Sequence, residues 1–97
     1  MYTIEYTQPA LEDLKTLKKH EQSEILDAVD AQLMYEPTVE VRNRKRMRPN
    51  PYAAWELRVG DFRVLYNVDE QVRIVEIQRV GEKRGEGFFF RGRREDI

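Results

Sequence analysis

The stretch WELRVGDFRVLY, Trp55 to Tyr66, decides how this chain folds. Two runs that alternate apolar and polar residues flank Gly60-Asp61, the pattern of a two-residue hairpin loop in which glycine supplies a positive φ at the first central position. That loop fixes the register. Val59 then faces Phe62, Leu57 faces Val64 and Trp55 faces Tyr66, which makes one continuous apolar face. The other face sets Glu56 against Leu65 and Arg58 against Arg63. Like charges directly opposite cost roughly 0.2 to 1 kcal/mol, so the arginine pair needs a reason. One is that each arginine reaches diagonally to a nearby acid, Glu56 or Glu76, on a solvated face. The other is that two guanidiniums held on strands await a phosphate, which their fork geometry suits.

Working outward, strand patterns cover Ala54 to Val59, Phe62 to Val68 and Val72 to Val80. A turn at Val68-Asp69-Glu70-Gln71 leaves Val75 and Ile77 on the Trp55 face and Ile74, Glu76 and Gln78 on the Arg63 face. Upstream, Tyr2, Ile4 and Tyr6 alternate with polar residues as a short strand. Thr7-Gln8-Pro9 then opens a helix near 9 to 19, with Ala10, Leu11, Leu14 and Leu17 as its apolar stripe. Glu12, Asp13, Lys15, Lys18 and Lys19 are expected to face solvent. A second helix, about Gln22 to Tyr35, carries Ile25, Leu26, Val29 and Leu33 and ends before Pro37. The break at His20-Glu21 makes the two an antiparallel hairpin. Residues 38 to 53, TVEVRNRKRMRPNPYA, read as a connection with weak regular structure. From about 81 a Gly/Arg-rich tail is expected to be flexible, interrupted by Phe88-Phe89-Phe90, which suit a small edge strand, a docking surface or base stacking. The expected architecture is α+β: an N-terminal strand and an antiparallel helical hairpin packed on one face of an antiparallel meander sheet, in a single domain.

The 97 residues, 40% apolar, allow one modest core. There is no cysteine, which excludes disulfides and thiolate zinc sites and suits a reducing compartment, so the cytoplasm is the expected location. No run approaches the ~20 apolar residues that span a bilayer, and no membrane association is expected. The net charge is −1, but it is unevenly spread: 3 basic and 9 acidic residues over 1–41, 7 and 2 over 42–63, 7 and 7 over 64–97. The basic middle fits a polyanion that touches one face. Arg44, Lys45, Arg46 and Arg48 in the RNRKRMR run point to nucleic-acid backbone contact, against the alternative of a solvated loop. His20, the only histidine, reads as a turn residue rather than a general acid or base. Metal would need carboxylates alone, whose spacing here suggests helix surface, so neither metal nor cofactor is expected. Gly81, Gly85 and Gly87 lack the context of a phosphate-binding loop.

The segment RNRKRMRPNPYAAWELRVGDFRVLYNVDEQVRIVEIQRVGEKR resembles the RelE/ParE superfamily of bacterial type II toxin–antitoxin toxins, most specifically in LRVGDFRVLYNVD. The resemblance implies a toxin neutralised by a small cognate antitoxin in a toxin–antitoxin hetero-oligomer. It implies either a ribosome-dependent mRNA endoribonuclease of the RelE kind or a DNA gyrase inhibitor of the ParE kind, or a nuclease-dead relative that acts by protein contacts. In the nuclease branch Arg63 contacts the scissile phosphate and the basic residue after the glycine of the last strand maps to Lys83 or Arg84. Arg58 joins them as a catalytic candidate. Arg44, Lys45, Arg46, Arg48 and Phe89 are the candidates for RNA binding. Ala54 and Glu56 stand where well-studied nucleases carry lysines, and Phe89 stands most nearly where they carry a tyrosine.

Overall fold

In the computed structural model, which describes residues Met1–Ile97, the hairpin closes as its loop dictates. The elements are β1 (Thr3–Tyr6), α1 (Gln8–Lys15), α2 (Lys19–Leu33), β2 (Arg44–Arg46), β3 (Trp55–Val59), β4 (Phe62–Asp69), β5 (Ile74–Arg84), β6 (Gly87–Phe90) and β7 (Arg93–Glu95). Gly60 takes φ +58°, and β3 pairs with β4 so that Arg58 stands opposite Arg63. The Arg58 amide donates to Asn43 O at 2.8 Å, away from β4. The two arginines are therefore a non-hydrogen-bonded pair, the geometry that brings opposing side chains closest.

The sheet runs β2-β3-β4-β5-β6-β7 in space, antiparallel throughout, and β1 lies parallel to the first half of β5. Asp69 pairs with Ile74, which makes the β4–β5 connection longer than the two-residue loop the pattern suggested. Its residue count is still even, so Val75 and Ile77 keep to the core face and are fully buried. The register then slips between Leu65 and Tyr66: Tyr66 pairs with Ile77 but Leu65 with Arg79, leaving Gln78 as a bulge. Beyond it Val80 shares the core face with Val64, while Arg79, Gly81 and Lys83 turn to the other side.

Thr7 caps α1, its Oγ1 accepting from the Ala10 amide at 3.3 Å, and Pro9 sits in the first turn. The break between helices falls at residues 16–18 and not at His20-Glu21. The Thr16 hydroxyl closes α1 on Asp13 O at 2.7 Å, and Glu21 accepts the Lys18 amide at 3.0 Å as a capping residue, so α2 starts early and contains His20. Ala10 and Leu14 of α1 and Ile25, Val29 and Leu33 of α2 pack on Leu57, Val64, Tyr66, Val75, Ile77 and Val80. Leu11 and Leu26 stay exposed at 40% and 37%, so the apolar stripes are narrower than the spacing implied. No helix is long and apolar enough to cross a membrane.

Three further expectations are overturned. Asp13 does not face solvent: its side chain is fully buried and accepts from Arg79 Nε (2.7 Å) and Nη2 (3.0 Å), Val80 N (3.0 Å) and Arg91 Nε (2.8 Å). One carboxylate thus ties α1 to β5 and to the turn after β6. Nor is the segment after Gly81 a loose tail, because it forms the end of β5, β6 and β7. Phe88 and Phe90 alternate onto the face away from the helices, where with Ala53 and Leu65 they bury a second, smaller apolar cluster. Gly81 makes room for it, since a Cβ there would lie 2.6 Å from Phe90 Cδ1. The basic connection is likewise more regular than expected, with β2 inside it and Asn50 bonding the amides of Tyr52 (2.8 Å) and Ala53 (3.1 Å).

Asp13→Ala leaves the Arg79 guanidinium without its carboxylate and Arg91 with Glu12 alone, at 3.2 Å, and should lower the unfolding free energy by about 3 kcal/mol, read from urea denaturation. Burial, with Asp30 adding to it, pushes the Tyr6 phenol up to about 12 from an ordinary 10.0. The fold therefore favours the neutral phenol, a stabilisation that is complete below pH 10.0 and is lost as pH rises through about 12. The melting temperature should fall across that window, and less steeply in Tyr6→Phe.

Candidate nucleic-acid interface

On the face of the sheet away from the helices, β2, β3 and the far end of β5 bound a cleft of about 470 Å³. Lys45, Arg46, Arg48, Arg58 and Lys83 line it, with Glu56 and Glu86 as its acids and Met47, Phe88 and Ile97 as its apolar wall. Lys45, Arg58 and Lys83 arrive by strand geometry, and Arg48 from the loop after β2. Lys45 stands opposite Glu56 across β2–β3, and Arg58 follows two residues after Glu56 on the same face. Lys83 reaches this side because of the bulge at Gln78, and its Nζ lies 5.0 Å from the ring centroid of Phe88, its cross-strand partner.

The two facing arginines are resolved differently. Arg58 Nε donates to Glu56 Oε2 at 2.9 Å; Arg58 is 46% exposed and Glu56 only 10%. Arg63 meets no glutamate. Its Nη1 folds back to donate to Gly60 O and Phe62 O, both at 2.8 Å, and its Nε is the one buried side-chain polar atom without a hydrogen bond. Burial lowers its pKa from the ordinary arginine value, Glu56 and Asp61 oppose that and Arg58 adds to it. Glu76, expected beside the arginines, is exposed and accepts from Gln78 Nε2 at 2.7 Å, in register with Glu5 and Asn67.

Four of the nine candidate residues therefore converge: Lys45, Arg48, Arg58 and Lys83; Arg46 borders the cleft but pairs with Trp55 and lays its guanidinium 5.6 Å from that ring's centroid, on the helix side. Arg63 stands beside them without lining the cleft. Three lie elsewhere. Arg44 pairs with Leu57, which turns it to the helix side. There it is buried, donating to Val39 O (3.1 Å), Gln32 O (3.0 Å) and Gln32 Oε1 (2.9 Å), a cation at the C-terminal end of α2. Arg84 and Phe89 alternate to the helix side as well, where Arg84 Cζ sits 4.6 Å from the Phe89 centroid. The wall residue Phe88 was passed over in favour of Phe89. The missed signal is Gly85-Glu86, a second glycine–acid pair with φ +59° at the glycine, which makes a tight hairpin and sets Lys83 opposite Phe88.

Fixed cations against an apolar wall can hold phosphate oxygens while a base or sugar packs beside them. No histidine lines the cleft, and no three His, Cys, Asp or Glu side chains converge anywhere to hold a metal.

The fold is that of toxins from two-component toxin–antitoxin systems. The family model of the ParE toxin of type II toxin–antitoxin systems, parDE, matches residues 4–86, and the chain belongs to that family, within the RelE/ParE superfamily. A chain of the RelBE2 toxin–antitoxin complex of Mycobacterium tuberculosis is 28% identical, with a TM-score of 0.73 over 84% of this chain and 98% of that one. A chain of the archaeal RelE–RelB complex of Pyrococcus horikoshii is 23% identical and shares the fold with a TM-score of 0.68 over 87% and 96%. The isolated RelE toxin of Escherichia coli, 15% identical, shares the fold more distantly, with a TM-score of 0.51 over 89% of each chain. No curated protein sequence matches at a comparable level.

Arg44→Ala removes a buried charged donor and should cost about 2 kcal/mol of stability, whereas Arg48→Ala, exposed in the cleft, should change it by under about 0.5 kcal/mol. Paired thermal denaturation of the two variants checks the division.

Proposed function

We propose that this toxin is a metal-independent mRNA endoribonuclease that stops translation at the ribosome, with the basic cleft as its RNA site. The convergence of Lys45, Arg48, Arg58 and Lys83 from separate segments carries the reading. Cleavage without metal needs the 2′-hydroxyl deprotonated, the phosphorane stabilised and the 5′-oxygen protonated. Arg58 and Lys83 serve the second need, since cations already held in place stabilise developing charge without reorganising. Arg63 joins them with Nη2, the guanidinium nitrogen that its backbone contacts leave free. Glu56, held through Oε2 by Arg58, is the carboxylate nearest the cations, so the electrostatic part of the mechanism is better provided for than the acid–base part.

The partner in this reading is a small antitoxin, as in the complexes of the M. tuberculosis and P. horikoshii relatives. An acidic segment of it would meet Arg58 and Lys83 and compete with RNA, in a hetero-oligomer formed in the cytoplasm where ribosomes work.

A second reading, inhibition of DNA gyrase by protein contact, is favoured by the family model, which is that of ParE. Arg63, tied to its own hairpin, has no task in it. The two separate in extracts. Wild-type protein should halt translation and leave gyrase supercoiling running, and Arg58→Ala/Lys83→Ala should weaken that inhibition by about 100-fold or more. Induction should arrest growth, and Arg63→Ala should relieve the arrest. Continued translation with stalled supercoiling would establish the gyrase reading instead.

A further inference from the structure

The β5–β6 hairpin presents a cation–aromatic pair on each face of the sheet. Lys83 and Phe88 face the cleft, and Arg84 and Phe89 face the helix side, 4.6 Å apart. Beneath the second pair lies a recess of about 350 Å³, walled by Thr16 and Leu17 of the α1–α2 turn and by Phe89, Arg84 and Arg91. That turn belongs to the run Lys15-Thr16-Leu17-Lys18-Lys19-His20, whose three lysines and histidine are all exposed. None of the four takes part in an ion pair. Arg84 shares Glu82 at 3.2 Å, with the arginine 55% exposed. Between the two faces the hairpin narrows to Gly85-Glu86, and a Cβ at Gly85 would meet nothing within 4 Å.

A run of lysines alone is ordinary solvated surface. This one borders a recess floored by a partly exposed aromatic with a guanidinium over it, and that combination suits an unstacked base flanked by phosphates. A duplex keeps its bases stacked within itself and cannot use the aromatic. We propose that this second surface binds single-stranded RNA that leaves the cleft and passes over the tip of the β5–β6 hairpin, a base stacking at Arg84 and Phe89 and the following phosphates meeting Lys18 and Lys19. The inference rests on the reading of the cleft as an RNA site and assigns the strand a path beyond it.

Fluorescence anisotropy with 2′-O-methyl RNA, which is not cleaved, tests the path with oligonucleotides of about 4 and about 12 nucleotides, a span that brackets single-strand site sizes. Arg84→Ala/Phe89→Ala and, without touching any packed residue, Lys18→Glu/Lys19→Glu should each weaken the longer RNA by about tenfold and leave the shorter unchanged. Equal losses at both lengths, or none, would overturn the proposal, as would an equal loss of a 12-base-pair duplex from Arg84→Ala/Phe89→Ala. If Arg58→Ala/Lys83→Ala leaves both RNAs bound while Lys18→Glu/Lys19→Glu still weakens the longer, the cleft reading fails and the second surface stands.

Discussion

One extra residue in β5 decides which cations share a face. Ahead of Gln78 the odd-numbered side chains of β5, Val75 and Ile77, point to the helices; beyond it the even-numbered ones do, beginning with Val80. Without that slip, Val80 would leave the core and Arg84 would take the place of Lys83 in the cleft. The bulge is held on both sides. Val64 and Val80 bury together on one face, and on the other Arg79 is clasped by Asp13 and lies 4.3 Å from the Phe90 ring centroid. Apolar burial and a buried ion pair thus fix the same register, and the composition of the cleft follows from it.

The facing arginines are tolerated because each is engaged before any ligand arrives. Arg58 is drawn toward Glu56 along its own strand, and Arg63 bends back to the hairpin carbonyls. Their repulsion is relieved by turning the two guanidiniums apart, at the cost of one buried N–H without an acceptor. An anion between them would reverse that compromise, which is why a pair that a stability argument disfavours is compatible with a binding surface.

The parts of the fold set by local chemistry were legible in the sequence. Gly60-Asp61 determined the β3–β4 register residue for residue, Thr7 and Pro9 marked the start of α1, and Val75 and Ile77 were placed in the core by alternation alone. What escaped depends on contacts distant in sequence. Asp13 sits among charged neighbours on a short helix, and nothing local reveals that Arg79 and Arg91 will enclose it. Arg44 is one of five cations in a run, and only the pairing of β2 with β3 separates it from Lys45. The bulge at Gln78 has no glycine to announce it. Gly85-Glu86 did carry a local signal, the same as Gly60-Asp61, but flanking charge obscured it.

The order in which these contacts close has a kinetic consequence. β1 leaves the ribosome early, yet Thr3 pairs with Ile74, and Asp13 waits for Arg91, 78 residues later. Contacts of such separation must meet their loop-closure cost before they return any stability. The nascent chain therefore holds its helical hairpin and a half-built sheet with an unpaired edge until nearly all of β5 to β7 has emerged. Folding of this toxin is thus expected to be a late, cooperative event, leaving an interval in which a partner translated nearby can reach the chain before the cleft is assembled.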